Sequence, residues 1–334
     1  MTTHLSSVET SLDASLTLRA VRWDDLNAVA RLIYEICEAK GDTTVAYTPE
    51  DLANEWKYEG FNLEQDACLV ETRDGRVVGY EGLFNVRDHC DLCGDVYVHP
   101  EFKRLGVRTA LLRAMDSHAG GHIQLAKPDL RVFIHITDHR DEANEAILAH
   151  VGYLPVRHQW RMGIDLEAAP PTPRLPAGVE IRPFVKDEHA TAVWQARNEA
   201  FRNNWGSYQL TFAEFSYYTL DDAEYDPALW VVIWAGNEVA GFSINQYRMG
   251  IGWIHMLGVR PAWRTKGLGL ALLHQSFGEF YQRGTKTIGL AVDAFNATGA
   301  TRLYQKAGMS TVSEFVTIEK ELRAGKGESE DSTS

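Results

Sequence analysis

Residues 257–273 read L-G-V-R-P-A-W-R-T-K-G-L-G-L-A-L-L, and residues 292–309 read V-D-A-F-N-A-T-G-A-T-R-L-Y-Q-K-A-G-M. The first stretch reads as a strand that passes through a proline into a glycine-bearing turn and then an apolar helix. The second reads as the end of a strand followed by a tyrosine-bearing helix. Between Arg264 and Gly269 the turn can aim several backbone N–H groups at one anion. Gly267 and Gly269 carry no side chain to block close approach, and a helix N-terminus favours negative charge. A pyrophosphate suits such a turn.

Working outward, the same order of features occurs twice. A strand ending in V-x-P closes at Val98-His99-Pro100 and at Val259-Arg260-Pro261, and Gly106 and Gly267 each lie six residues after their proline. Upstream, each half opens with a short strand running into a helix, from Leu16 and from Val179. Each then has a hairpin with turn chemistry at its centre, Asp74-Gly75 and Gly236-Asn237. Downstream come a strand (Val132 to Thr137; Ile288 to Val292), a helix, and a glycine before a last strand (Gly152; Gly308). A repeat this long means tandem copies of one domain. Its β-α-β-β-β-α-β-α-β order predicts an α/β (α+β) architecture, a mixed and mostly antiparallel sheet flanked by helices. A dinucleotide-binding fold is the alternative, since Gly267 and Gly269 begin a G-x-G pattern. It lacks its third glycine, replaced by Leu272, and its acidic residue after the next strand.

The segment from Asp165 to Gly178 carries four prolines and no periodicity. It reads as a linker, so the expected division is 16–165, a proline-rich linker over 166–178, 179–322, and a disordered polar tail over 323–334. At 334 residues, two domains can each bury a core. A 45% hydrophobic, 24% charged composition is that of an ordinary globular chain. The net charge of -13 argues against nucleic acid and anionic membranes as partners, while a local basic turn can still hold a phosphate. The polar first sixteen residues and the lack of any long apolar run point to a cytoplasmic protein. Four cysteines, Cys37, Cys68, Cys90 and Cys93, are too sparse for a disulfide scaffold. Cys90 and Cys93, with His89 and His99 nearby, read as half a zinc site, and with no second Cys-x-x-Cys or His-x-x-x-His taken to complete four ligands, no metal is expected.

With these residues in view, the chain from Leu16 to Leu322 resembles the GNAT superfamily of acetyl-CoA-dependent N-acetyltransferases, in tandem form. The family signature (Gln or Arg, two residues, Gly, one residue, Gly or Ala) is met by Arg264-Thr265-Lys266-Gly267-Leu268-Gly269. The preceding L-x-V-x-P and the following Asn296 and Tyr304 accompany it. The resemblance implies acetyl-CoA as co-substrate, with backbone groups of Leu257, Gly258 and Val259 along the pantetheine arm. It implies amides from Thr265 to Leu270 around the pyrophosphate, Arg264 and Lys266 adding charge, and Asn296 on the pantetheine. Tyr304 would stand beside the sulfur, where its phenol can protonate the departing thiolate.

The reaction implied is direct attack of a neutral primary amine on the thioester, with the oxyanion held by a backbone N–H. The amine has to lose a proton, and His255, two residues before Leu257, is the candidate base. An imidazole titrates at about 6.5, which suits that task, and a packed, hydrogen-bonded histidine is the other reading. Tyr304 likewise fits the apolar spacing of a core position on its helix.

The first half departs from this pattern. Lys103 stands at the Arg264 position and Gly106 at the Gly267 position, but Arg108 replaces Gly269. Counted from the terminal glycines, Leu148 replaces Tyr304 and Arg140 replaces Asn296. Leucine cannot protonate a thiolate, so the first half is expected to be non-catalytic. Its basic residues Lys103, Arg104, Arg108 and Arg113 read either as a retained phosphate site or as a solvated helix face. A degenerate first copy with an intact second is also the arrangement of mycothiol synthases. For the acceptor, Glu199, Asn204, Trp205 and Tyr208 read as amine-binding or as packing residues. The partner implied is a small-molecule amine, and the chain a monomer or homodimer. A CoA-binding regulatory or scaffold protein, and a protein N-acetyltransferase, are the alternatives.

Overall fold

The computed structural model describes residues 11–141, 147–202, 204, 208–221, 225–296 and 298–326. They form two compact units, the described residues up to 158 together with those from 315 onward, and the described residues of 159–314.

In the first unit the strands are β1 (Leu16–Ala20), β2 (Ala67–Thr72), β3 (Val77–Arg87), β4 (Asp91–Val98) and β5 (Val132–His139). Neighbours pair antiparallel from β1 to β4, and β4 with β5 is parallel. The helices are α1 (Leu26–Ala39), α2 (Pro49–Trp56), α3 (Leu63–Asp66) and α4 (Val107–Leu125). In α1, Val29, Ala30, Leu32, Ile33, Ile36 and Cys37 recur at helical spacing and are all buried. Thr48 caps α2, its hydroxyl accepting from the Asp51 N–H while Asp51 reaches back to the Thr48 N–H. The core joins Leu111, Leu112 and Met115 of α4 to Val78, Leu92 and Ile134 of the sheet. Each such side chain contributes about 1.5–3 kcal/mol by leaving water.

In the second unit the strand order is β6 (Leu154–Asp165), β11 (Thr287–Asp293), β10 (Ile251–Val259), β9 (Glu238–Arg248), β8 (Val231–Ala235) and β7 (Glu180–Pro183). All pairs are antiparallel except β10 with β11. The helices are α5 (Lys186–Ala200), α6 (Phe212–Phe215), α7 (Leu268–Gln282) and α8 (Ala300–Lys306). Val193 and Ala196 of α5 pack with Val232 and Phe242, whereas Leu273 and Phe277 of α7 pack with Ile254 and Ile288. The sheet is therefore covered on both faces.

Three boundaries differ from the sequence reading. β6 has 12 residues and β12 (Ser310–Arg323) has 14, about twice the usual strand length. Residues 159–165 of β6 pair with β11 of the second unit, and residues 315–323 of β12 pair with β5 of the first, where Val316 and Ile318 join the core. Each half thus lends the end of its last strand to the other's sheet. Residues 166–179 have neither helix nor strand, but they are fastened to the second unit. The Leu166 N–H donates to the Lys286 carbonyl at 2.9 Å, Leu166 is buried, and Leu175 packs beside the core residues Val231 and Leu268. The polar tail is held at its start. The Arg323 guanidinium donates to the carbonyls of Ile123, Ala126, Lys127 and Leu130, and the Lys326 N–H donates to the Asp129 carbonyl. Residues 327–334 lie outside the described residues.

Candidate functional site

β10 pairs with β9 over its whole length but with parallel β11 only at Gly252–Ile288 and Trp253–Gly289. Beyond these two positions β10 runs on to Val259 and β11 to Asp293 with no further pairing between them. The two strands part. The β9–β10 register shifts between Ile254 and Met256, so His255 is the extra residue of a β-bulge, a device that bends a strand and re-aims its side chains. His255 is exposed there. The edge of residues 255–259 that faces β11 offers main-chain donors and acceptors to an extended ligand, in the manner of strand addition. Leu257 and Val259 on this stretch are partly buried against the core. Gly258 has a packing reason of its own: a β-carbon there would lie 2.6 Å from Cζ of Phe242.

After Val259 the chain makes a short 3₁₀ turn (Pro261–Trp263) and enters the glycine turn. Thr265 and Gly267 have left-handed backbone, φ 62° and 82°. Among the described residues a β-carbon on Gly267 would meet nothing within 4 Å, so none of them closes the space above the turn. α7 starts at Leu268, and its first intrahelical bond runs from the Ala271 N–H to the Gly267 carbonyl. The amides of Leu268, Gly269 and Leu270 are therefore the unpaired donors of a helix N-terminus. Such a cradle fits a phosphate group. Leu268 anchors it in the core.

The two cations of the turn are used differently. Arg264 Nε donates to the Val259 carbonyl at 3.2 Å and Nη2 to the Ala200 carbonyl at 2.8 Å, so its side chain braces the turn against β10 and α5. Lys266 is exposed, with Nζ 4.4 Å from the centre of the Trp263 ring. Gly269 serves helix packing, because a β-carbon there would come within 2.7 Å of Leu303 Cδ2 on α8.

α8 carries Tyr304, which is buried among Ile254, Leu290 and Met309. Burial pushes its phenol up to about 12, so the hydroxyl keeps its proton at neutral pH. Asn296 sits in the connection between β11 and α8, where its Oδ1 accepts from the Thr298 N–H at 2.9 Å and from the Thr298 hydroxyl. Its carbonyl end is thus spent on an Asx turn, and its amide N–H groups are what it can offer a ligand.

The first unit repeats the backbone and fills the space. Gly106 is left-handed at φ 71° and caps α4 as Gly267 caps α7, but a β-carbon on Gly106 would lie 2.1 Å from the Ser11 carbonyl oxygen. The segment around Ser11 lies over the turn, fixed by a bond from the Asp13 N–H to the Leu105 carbonyl. Arg108 is buried, its Nη2 2.9 Å from Asp138 Oδ2, while Lys40 Nζ lies 3.1 Å from Asp138 Oδ1. Lys103 pairs with Asp141 at 3.1 Å. The basic cluster is therefore largely neutralised by the unit's own acids, and Arg104 is exposed. A cavity of about 170 Å³ remains beside it, lined by Lys40, Tyr97, Lys103, Arg108 and Asp138 among others. Leu148 is buried in the core, as an apolar replacement for a tyrosine should be.

Of the acceptor residues read from the sequence, Glu199 is bound to Arg260 Nε at 2.6 Å, Asn204 and Tyr208 lie in the loop after α5, and Trp205 lies outside the described residues. A second group of chemically competent side chains was passed over. His118 and His122 stand at i, i+4 on α4, and His118 meets Cys68 and Glu81. The His-x-x-x-His spacing was readable, but its partners lie on strands about 40 and 50 residues away.

Residues 31–153 and 190–309 each match the Acetyltransferase (GNAT) family. The chain is 32% identical to a mycothiol acetyltransferase of Kineococcus radiotolerans over 72% of this chain and 77% of that protein. It is 31% identical to one of Salinispora arenicola over 75% and 80%. It is also similar to a crystal structure of a GCN5-related N-acetyltransferase from Sphaerobacter thermophilus, with 34% identity, a TM-score of 0.82, and 94% and 98% of the two chains covered. A tandem GNAT protein of the clavulanic acid pathway, 17% identical, shares the fold with a TM-score of 0.68 over 93% of this chain and 99% of that one. Parting parallel strands, an open glycine cradle at a helix N-terminus and a double match in sequence converge on one conclusion: the chain belongs to the GNAT family, an acetyl-CoA-dependent acetyltransferase with two copies of the fold in tandem.

Proposed function

We propose that the second unit carries out acetyl transfer from acetyl-CoA to the primary amine of a small molecule, by direct attack, and that the first unit is non-catalytic. The observation that carries this reading is the open Gly267 turn at the end of a strand that has parted from its neighbour, against the covered Gly106 turn in the first unit. In this reading the main chain of Leu257, Gly258 and Val259 binds the pantetheine arm, and the amides from Thr265 to Leu270 bind the pyrophosphate. Lys266 supplies mobile positive charge and Arg264 holds the turn in shape. Asn296 donates from its amide. Tyr304, protonated at neutral pH, gives its proton to the departing thiolate, and His255, exposed on the bulge, takes the proton of the amine. Similarity to mycothiol acetyltransferases supports a small-molecule acceptor.

The test is thiol release from acetyl-CoA by the full chain across a panel of small primary amines and short peptides. Turnover with small amines is expected. Binding of acetyl-CoA without turnover on any amine supports a CoA-binding regulatory protein instead, and turnover on peptides alone supports a protein N-acetyltransferase.

A further inference from the structure

In the first unit, Cys68 on β2 and Glu81 on β3 are direct cross-strand partners, and His118 of α4 packs over both. Cys68 Sγ lies 3.8 Å from His118 Nε2, and Glu81 Oε1 lies 3.3 Å from His118 Nδ1. One ligand atom from each of the three lies within 4.8 Å of the others. Glu81 is wholly buried, 0% exposed, and its carboxylate faces the His118 imidazole as an ion pair with support from the Cys68 main chain, while among the described residues no hydrogen bond of full geometry reaches its oxygens or His118 Nδ1. A buried carboxylate needs a cation beside it.

We propose that Cys68, Glu81 and His118 form a binding site for a divalent metal ion of the zinc class, which clamps β2 and β3 to α4. Three features select that class. Zinc bonds of about 2.0–2.3 Å put neighbouring tetrahedral ligand atoms about 3.3–3.8 Å apart, and one ligand atom from each of the three residues lies within 4.8 Å of the others, a short contraction away. A thiolate, an imidazole and a carboxylate are a mixed set that suits zinc better than magnesium or calcium, which take oxygen ligands. The thiolate and carboxylate bring two negative charges, which one divalent ion cancels in a buried place. Rotation of the imidazole about its Cβ–Cγ bond presents either nitrogen to the ion. Binding releases the thiol proton, and any proton on the imidazole or carboxyl, to solvent.

His122, one turn further along α4, is engaged with His89, Nδ1 to Nδ1 at 2.8 Å, and is not needed as a ligand. Cys90 and Cys93, the pair expected from sequence to resemble half a zinc site, are poorer ligands. Burial raises both thiols, Cys93 well above the ordinary range, which favours the protonated form.

The full chain, stripped with chelator, is titrated with Co²⁺ and then with Zn²⁺. We expect a thiolate-to-cobalt charge-transfer band at one equivalent and its loss when zinc displaces cobalt. Cys68→Ser should abolish the band, and Glu81→Gln and His118→Gln should each weaken zinc binding by at least about tenfold. Cys90→Ser with Cys93→Ser should leave it intact. Absence of the band in the wild-type chain, or its persistence in Cys68→Ser, overturns the site. So does a Cys68 alkylation rate that depends on His118 but is unchanged by zinc, which identifies a simple Cys–His–Glu hydrogen-bonded relay. Glu81→Gln is isosteric, so it keeps the test decisive if Cys68→Ser does not fold.

Discussion

Gly106 and Gly267 end the same strand-to-helix turn in the two units with nearly the same backbone, φ 71° and 82°. Above Gly267 there is open space, and above Gly106 there is the carbonyl of Ser11. Their neighbours differ in the same sense. Gly269 leaves room for Leu303 at the start of α7, whereas Arg108 at the start of α4 turns inward to a buried pair with Asp138. The parallel strands part in both units, β4 from β5 after four paired positions and β10 from β11 after two, and in the second unit the His255 bulge accompanies the parting. A turn can thus be kept for folding, because a left-handed helix cap is a local stereochemical need, after its ligand space has been filled.

The sharpest way to break this contrast is at the tyrosine position. Tyr304→Phe is expected to lower kcat by about 10²–10⁴-fold, the range of a general acid, with KM for acetyl-CoA little changed. Leu148→Ala, at the counterpart position, should cost about 2–5 kcal/mol of stability and leave the rate per folded molecule unaltered. Steady-state kinetics beside thermal melts separates the two, and an unchanged kcat in Tyr304→Phe with chemistry rate-limiting removes Tyr304 as the acid.

His255→Ala tests the bulge. We expect a loss near the lower end of that range, about 10²-fold, with disappearance of the rise in rate as pH increases. A pH–rate profile of unchanged shape excludes His255 as the base. The glycines themselves come next. Gly267→Ala should cost about 1–2 kcal/mol from its left-handed backbone alone, and Gly106→Ala appreciably more, since its β-carbon also meets a backbone oxygen. Equal losses in denaturant melts would mean that the Ser11 segment does not cover the turn in solution.

The smallest effect concerns His139, at the end of β5 in the first unit. Burial, with the Lys40 charge, depresses its imidazole to about 4. The folded state therefore binds fewer protons than the unfolded one between about 4 and 6.5, so stability is complete above that window and falls as pH drops through it. The full shift corresponds to about 3 kcal/mol, solvent screening of the part-exposed imidazole reduces the expected loss to the order of 1 kcal/mol, and His139→Asn should flatten the melting temperature across pH 4–6.5.

Much of the fold was legible because it rests on local chemistry. The hairpin glycines, Gly75 and Gly236, have positive φ of 84° and 59°, and Gly152 and Gly308 repeat this at 91° and 96°. Residues that need such backbone announce themselves in sequence. The roles of the cations were less legible. Arg264 fits a phosphate ligand by position, but its guanidinium found two carbonyls closer at hand. The proline-rich segment had the composition of a free linker, and the burial of Leu166 and Leu175 against the second unit's core depends on partners far along the chain.

The sequence by itself determined that one domain occurs twice, that both copies turn at a glycine after V-x-P, and that only the second retains Asn296 and Tyr304. Periodicity, turn chemistry and spacing are properties of neighbours in the chain, and they survive being read in one dimension. Tertiary structure alone decided where β10 leaves β11, which sheet the ends of β6 and β12 complete, and what lies over each glycine. It also brought Cys68, Glu81 and His118 together. These outcomes depend on contacts between residues tens to hundreds of positions apart, set by packing and strand pairing rather than by local conformational preference.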